Sequence, residues 1–386
     1  MRQFVGVVGS GNIGFDPFDP QCWSGSSRRF FLECQRRGLL RRAFGVDVSR
    51  PAKAWFALKN FSRERRQWRT QFYSDTGYRR SLTERIRGQL SGDDYGFNLL
   101  QLGAMYDCPS IVKGRAACFS YNDGNFATSS QSPFFPAGVS KKRIDATLRY
   151  EREVNARLDL VFTMSEYLRR SFINNYGISA EKVVSIGAGI NLDRLPEIDT
   201  EKDYSVGNVL FIGVDFERKG GNEVLKAFQV VRETIPRATL HVVGPQNIPS
   251  GFVGIPGVIW HGFLRKTDEL ELTKLRELFE NAVLFVMPSR YEPFGIAPLE
   301  AMSYGIPCIV SDAWAFPEIV PDKKCGRLVE PGNWEELAAT LTELLANPVL
   351  LSRYGAAARM HVEGKYTWPN VVDRLEQNIS QKVHVL

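Results

Sequence analysis

The sequence lacks the cysteine and histidine patterns that hold metals or build disulfide frameworks. Its six cysteines include no C-x-x-C pair, and its four histidines are scattered, with none before His241. These spacings argue against the common zinc sites and against small disulfide-rich scaffolds. We therefore expect isolated buried thiols and no metal centre.

Long apolar runs are also missing. No run reaches the roughly 18 apolar residues that a membrane-spanning helix needs. The first nine residues are interrupted by glycine and are too short for a signal peptide. With 386 residues, 44% hydrophobic and 24% charged, the chain has the composition of a globular protein with room for two domains. We expect a cytoplasmic protein.

Negative charge is scarce in the first part of the chain. Residues 1–150 hold 24 Lys and Arg against 12 Asp and Glu, whereas the whole chain carries a net charge of only +6. The arginines occur in clusters that are interleaved with Phe, Trp and Tyr, at 28–29, 36–37, 41–42, 63–69 and 79–80. Such clusters suit a solvated helix face, an anionic membrane surface, an anionic acceptor or nucleic acid.

Apolar runs that favour buried strands alternate with helical stretches. In the second half we predict strands at 208–212, 239–243, 257–260, 283–287 and 307–311, and helices at about 220–234, 268–280, 297–304 and 334–346. In the first half we predict strands at Phe4–Val8 and Leu158–Thr163, a helix at 141–157, and another helix capped by Ser165. This alternation indicates parallel sheets with right-handed crossovers. A polar stretch, 196–205, predicts a linker between domains at 1–195 and 206–365.

A nominal dinucleotide fingerprint, Gly9-x-Gly11-x-x-Gly14, follows the first predicted strand. It suggests a nicotinamide-dependent oxidoreductase as one alternative. However, Pro17 and Pro20 follow where the fingerprint needs a helix, and no acid-ended strand lies about 20 residues further on. We predict instead that a helix begins near Arg28 with a serine cap, and that Gly25 lets the backbone approach a ligand closely.

The segment Tyr291–Met302 is the most informative part of the chain. It follows a predicted buried strand and leads into a helix, which places Glu292 on a loop and Glu300 about one turn inside the helix. Ligands bind at this edge of an open α/β sheet, and the helix start at Phe294-Gly295-Ile296 suits a phosphate. Because carboxylates repel phosphate, the glutamates should face hydroxyl groups. A ligand with both groups is a sugar nucleotide.

Three other strand exits complete the expected ligand pocket. Arg218 and Lys219 stand between Gly213 and the next predicted helix, and two adjacent cations there suit a diphosphate. Gly244 follows one further strand. His261 and Phe263 lie at the end of another strand and should line the nucleotide pocket.

The motif Glu-Pro-Phe-Gly followed by Pro-Leu-Glu-Ala-Met and Gly-Ile-Pro-Cys-Ile-Val-Ser resembles the donor site of retaining GT-B glycosyltransferases. More narrowly it is similar to glycosyltransferase family 4, the relatives of sucrose and glycogen synthases. The resemblance implies an α/β fold with two Rossmann-like domains facing a central cleft, and a final helix, about 366–386, that packs back on the first domain.

The resemblance also implies roles for individual residues. Glu292 would contact the donor sugar, Glu300 the ribose hydroxyls and Gly25 the donor phosphate. Val214 occupies the place of a family arginine, so Arg218 would substitute for it beside Lys219. Many relatives carry a histidine in the first domain that this chain lacks. Asp123 is the candidate to bind a sugar hydroxyl or orient the acceptor there, although Asn-Asp-Gly is also a common turn.

The activity implied is a retaining, metal-independent hexosyl transfer, with the leaving phosphate as base. The donor would be a UDP-, GDP- or ADP-sugar and no cofactor is expected. A glycan, a lipid-linked glycan or a sugar phosphate could be the acceptor. Peripheral contact of the basic domain with the inner face of an anionic membrane is a further expectation, and no nucleic-acid partner is expected. A non-catalytic GT-B protein that binds nucleotide or polyanion is the other alternative.

Overall fold

The computed structural model describes residues 3–9, 16–192, 194–198, 202–249 and 251–383. The chain divides into two compact units, one formed by residues 1–191 with 368–386 and the other by residues 192–367. None of the described helices combines the length and the apolar character needed to cross a bilayer.

The first unit is built on a parallel sheet whose strands are β1 Phe4–Gly9, β2 Leu40–Val46, β3 Asn98–Leu102, β4 Cys118–Asn122, β5 Leu160–Thr163 and β6 Val183–Ser185. This unit has the strand order β2-β1-β3-β4-β5-β6. Its helices are α1 Ser26–Arg36, α2 Arg50–Lys59, α3 Arg65–Tyr73, α4 Thr76–Gln89, α5 Cys108–Val112, α6 Phe126–Ser130, α7 Lys141–Arg157 and α8 Glu166–Tyr176. The predicted strands near 4 and 160 and the helix at 141–157 are confirmed, as is the Ser165 cap, whose side chain accepts from the Leu168 N–H.

The second unit holds another parallel sheet, whose strands are β7 Asn208–Ile212, β8 Thr239–Val243, β9 Val258–Gly262, β10 Leu284–Met287, β11 Cys308–Ser311 and β12 Gly326–Val329. This unit has the strand order β12-β11-β10-β7-β8-β9. Its helices are α9 Gly221–Thr234, α10 Glu269–Asn281, α11 Ile296–Ser303, α12 Phe316–Ile319, α13 Trp334–Leu345 and α14 Pro348–Lys365. All predicted elements of this half are confirmed, and β12, α12 and α14 are additional.

The strand order of the second sheet reverses between β7 and β10. From β7 the chain proceeds through α9 to β8 on one side, whereas β10 pairs with the other side of β7. The loops that follow β7 and β10 therefore run in opposite directions, and a crevice forms between them at the carboxyl edge of the sheet. In open α/β sheets this is where ligands bind.

The last helix, α15 Trp368–Val383, belongs to the first unit and packs beside α1. The rings of Trp368 and Phe30 lie 6.0 Å apart. Arg37 donates from Nη2 to the Pro369 carbonyl at 3.0 Å and pairs with the Asp373 carboxylate.

The predicted serine cap of α1 is wrong. The helix begins at Ser26, and its N-cap is Gly25, which has a left-handed φ of 91° and makes no side-chain capping bond. The Ser27 hydroxyl instead donates to the Pro17 and Cys22 carbonyls, and the Ser26 hydroxyl accepts from Asn191. Ser27 thus holds the preceding loop, Ser26 bonds the distant Asn191, and glycine supplies the backbone turn.

All six cysteines are free thiols. All six are buried, so their predicted burial is confirmed. Burial is the main cause that raises the pKa of each thiol.

Candidate functional site

The centre of the site is a buried carboxylate between two cations. Glu292, only 8% exposed, lies on the loop after β10, while Arg218 and Lys219 lie on the loop between β7 and α9. The Lys219 ammonium contacts Glu292 Oε2 directly, and Arg218 Nη1 lies 3.4 Å from the same oxygen. Ion pairs therefore join the loops that follow β7 and β10, the two strands between which the strand order reverses.

Arg218 is held by further contacts. Its Nη1 donates to the Tyr291 carbonyl at 2.8 Å, and its Nε donates to Asp215 at 3.1 Å. Because the guanidinium is fixed on several sides, its planar fork is already oriented for an external anion. The Arg218 and Lys219 side chains keep 23% and 16% of their surface exposed, so a ligand can reach them.

Further contacts of Arg290 join the loop after β10 to the loop before α9 and to α9 itself. The Arg290 N–H donates to the Arg218 carbonyl at 2.9 Å, and the Arg290 side chain pairs with Glu223 on α9 at 2.6 Å. Sequence reasoning missed both residues. The position of Arg290, two residues before Glu292 on a strand exit, was a usable signal for it.

Glycines allow the loops around the cluster to approach closely. Gly220 has a φ of 80°, and a Cβ there would overlap the Pro288 carbonyl after β10. Gly244 has a φ of 131°, and a Cβ there would overlap the Gly213 carbonyl after β7. Each position combines a left-handed backbone with contact to another backbone, so each needs glycine.

The start of α11 is open to a ligand. Its N-cap is Gly295, with a φ of 103°, and no side chain caps the helix. Its first backbone N–H groups, beginning at Ile296, therefore carry the partial positive charge of a helix terminus without a side-chain acceptor. Two aromatic rings fix this turn. The Phe294 ring is buried, and the Phe316 ring lies so close that a Cβ on Gly295 would meet it at 2.6 Å.

Glu300 lies in α11 and is buried, with its Oε1 2.5 Å from the Lys266 ammonium. Lys266 stands on the loop between β9 and α10, and no sequence pattern pointed to it. A carboxylate has two oxygens, so Glu300 can keep this lysine and still accept a hydrogen bond from a hydroxyl group.

Comparison with known proteins finds a family model that matches the part of the chain holding this site. Residues 200–361 match the family model described as "Glycosyl transferases group 1". The matched segment covers less than half of the chain. It contains Arg218, Lys219, Glu292 and Glu300, together with their partners Arg290 and Lys266.

The chain is 27% identical over 222 residues to the glycogen synthase of Mycobacterium tuberculosis, which covers 57% of this chain and 53% of that protein. The alignment thus spans about half the length of this curated relative. Sucrose-phosphate synthase from Thermosynechococcus elongatus superposes with a TM-score of 0.69 at 17% identity, covering 100% of both chains. Anabaena HepE, solved with UDP-glucose, superposes at 0.63 and 14% identity, covering 99% and 100%. The fold is GT-B, as predicted.

His261 does not join the cluster around Glu292. It lies in β9 of the second unit and faces His241 of β8, with His261 Nε2 and His241 Nδ1 3.0 Å apart and the rings stacked. The pair lines a cavity of about 280 Å³ together with Lys274 and Glu277 of α10. Phe263, just beyond β9, is half exposed.

The histidine pair predicts a pH dependence of stability. Burial, followed by the charges of His241 and Lys274, lowers the pKa of His261 to about 4, and burial lowers the pKa of His241. In the unfolded chain each histidine binds its proton at the ordinary pKa near 6.5, which is above its pKa in the folded chain. The free energy of unfolding therefore keeps its full value above about pH 6.5 and decreases as the pH drops toward 4.

We expect the midpoint of thermal unfolding to fall between pH 7 and pH 5, and to fall less in His261→Gln. Differential scanning fluorimetry at several pH values measures this slope. The exposed Lys226→Gln is the control, because lysine does not titrate in this window. Equal slopes in wild type and His261→Gln would contradict the assignment.

The remaining predicted residues belong to the first unit. Gly25 caps α1, as described above, and Asp123 is an exposed residue just after β4. Gly9 ends β1, while Gly11 and Gly14 lie outside the described residues. The first described α-helix after this motif begins only at Ser26.

In the part of the chain that the structure describes, no group of three or more His, Cys, Asp or Glu side chains could hold a metal ion.

Proposed function

We propose that the protein transfers a hexose-type sugar from a nucleoside diphosphate sugar to a hydroxyl of a glycan, lipid-linked or small-molecule acceptor. One observation carries the proposal. Buried Glu292 is held by Lys219 and Arg218 where the strand order reverses, within the segment that matches the group 1 family model. This combines hydrogen-bond acceptors for a sugar with cations for a diphosphate in one crevice.

The cations would stabilise the leaving group. As the bond between sugar and phosphate breaks, negative charge grows on the diphosphate. Arg218 can bind it through its planar fork and Lys219 as a point charge. The open start of α11 adds backbone N–H donors at the same edge of the sheet. Preorganised donors of this kind act most strongly on charge that develops in the transition state.

The carboxylates would position the donor. An ionised carboxylate only accepts hydrogen bonds, so Glu292 would take them from sugar hydroxyls and Glu300 from the ribose. We propose that transfer proceeds with retention and without a metal ion, with the leaving phosphate receiving the proton of the acceptor. The donor base would be uracil, guanine or adenine.

UDP, GDP and ADP form the first test. We expect one of them to raise the thermal midpoint in the presence of EDTA, since saturation at about 100 times Kd adds about 2.7 kcal/mol to folding stability. Arg218→Ala and Glu300→Gln should reduce this shift, because each removes a ligand contact. Differential scanning fluorimetry across a concentration series gives the apparent affinities.

Lys226→Ala, an exposed cation on α9, is the matched control and should keep the full shift. A shift that appears only with added magnesium overturns metal independence, and no shift with any nucleotide overturns the donor assignment. Release of free sugar from a matching nucleotide sugar, followed by nuclear magnetic resonance, would then report the anomeric configuration. Absence of both hydrolysis and transfer would favour the non-catalytic alternative.

A further inference from the structure

The first unit presents a row of large apolar side chains to solvent. Trp55, Leu58 and Phe61 are 56%, 77% and 67% exposed. They follow one another at intervals of three residues, so Trp55 and Leu58 share a face of α2. The Phe61 N–H donates to the Leu58 carbonyl at 3.1 Å, which continues this face beyond the end of the helix. Only Phe56 of α2 is buried, so most of this helix faces outward.

Cations are frequent in the segment that carries this row. The segment 50–69 contains seven Lys and Arg residues and a single acid, Glu64. That acid is occupied as the N-cap of α3, where its carboxylate accepts from the N–H groups of Arg66 and Gln67. Four exposed arginines form no ion pair with any residue that the structure describes, namely Arg50, Arg63, Arg65 and Arg69.

The helices that carry the apolar row and the arginines are fixed to each other. Trp68 of α3 donates from Nε1 to the Ala57 carbonyl of α2 at 2.9 Å, which locks the two helices together. The Lys59 ammonium lies 5.0 Å from the Trp55 ring centre and also pairs with the buried Asp75 at 2.8 Å. We call Trp55, Leu58, Phe61 and the four unpaired arginines the α2–α3 surface.

We propose that the α2–α3 surface docks on an anionic lipid bilayer. Guanidinium groups complement lipid phosphates, and Trp and Phe are favoured at the boundary between headgroups and hydrocarbon. Leu58 distinguishes this partner from a nucleic acid, because an aliphatic side chain cannot stack on bases as aromatic rings do. An acidic protein surface would match the arginines, yet it offers no hydrocarbon phase for three exposed apolar side chains.

Vesicle binding tests this surface in the full chain. We expect the protein to sediment with vesicles of phosphatidylcholine and phosphatidylglycerol, but not with phosphatidylcholine alone. Higher salt should weaken binding, because it screens the charges. The double variant Arg63→Glu and Arg65→Glu should lower the affinity about tenfold or more, and Leu58→Ser with Phe61→Ser should lower it at every salt concentration.

Matched controls come from the second unit. Lys226→Glu with Arg276→Glu reverses two exposed cations there, and Leu270→Ser with Val349→Ser removes two exposed apolar side chains. Both should bind vesicles as the wild type does, and circular dichroism should show all variants folded. Equal losses in test and control variants overturn the proposal. So does wild-type protein that ignores anionic vesicles, or that binds the soluble polyanion heparin more tightly than it binds them.

The docking proposal does not rest on the proposed transfer reaction. Nucleotide binding by thermal shift and vesicle binding by sedimentation are measured separately, and their outcomes are independent. A protein that binds nucleotide but no vesicle retains the proposed function and loses the docking surface.

Discussion

Glu292→Gln is expected to lower kcat/KM for sugar transfer about 100-fold to 1000-fold, the usual cost of removing one preorganised group from a reaction centre. Glutamine keeps the shape of the side chain but removes the charge that Lys219 and Arg218 share. Its amide also turns one acceptor into a donor, which faces the ammonium group unfavourably. Initial rates over a range of donor concentrations separate kcat from KM.

Asp215→Asn is the matched control. Asp215 also pairs with Arg218, but its side chain is far more exposed than that of Glu292, so solvent screens the pair and its loss should cost little. A Glu292→Gln enzyme within a few fold of wild type, or an Asp215→Asn enzyme equally impaired, would show that Glu292 does not act at the reaction centre.

Arg79→Met is expected to destabilise the protein by about 3–5 kcal/mol, the usual result of leaving one partner of a buried ion pair alone. Arg79 and Glu151 are each about 95% buried and lie 2.7 Å apart. The Glu151 carboxylate also accepts from the Phe126 N–H and the Tyr176 hydroxyl. Without the guanidinium, these two donors would have to stabilise a buried negative charge alone. Urea unfolding of the full chain, followed by circular dichroism, measures the loss.

The neighbouring arginine supplies the control for this variant. Arg80 is exposed, so Arg80→Met should change the stability by no more than about 0.5 kcal/mol. Adding Glu151→Gln to Arg79→Met should recover part of the loss, because the buried charge is then removed. If Arg79→Met and Arg80→Met are equally stable, the buried Arg79–Glu151 pair does not determine the stability of the fold.

Much of the second unit could be predicted from the sequence because its strands are continuous apolar runs. Each run ends at a loop, and the carboxyl ends of parallel strands meet at one edge of the sheet. Arg218, Lys219 and Glu292 could therefore be assigned to one place before their contacts were known. Their mutual ion pairing could not, because it depends on which rotamers the packed loops allow.

The contacts between distant segments were the least predictable. Lys266 and Glu300 are separated by 34 residues, and nothing local to either position indicates the other. His261 was assigned to the nucleotide pocket because it ends a strand, and the contact of its ring with His241 of β8 could not be predicted from the sequence. The direction of a side chain at a strand exit depends on the pleat and its register, and the register between β8 and β9 shifts near this point. The exposed row of Trp55, Leu58 and Phe61 could not be predicted for another reason, because only the packed structure shows which face of a helix stays exposed to solvent.

The burial of all six cysteines has a practical consequence. Thiolate, not thiol, attacks alkylating reagents, and burial both hinders access and raises the pKa of every native thiol. A single cysteine introduced at an exposed position would therefore be the preferred site of a maleimide probe without removal of any native residue. The folded chain can thus carry a fluorophore or spin label at a chosen position, and distances and polarity can be followed in the otherwise unaltered protein.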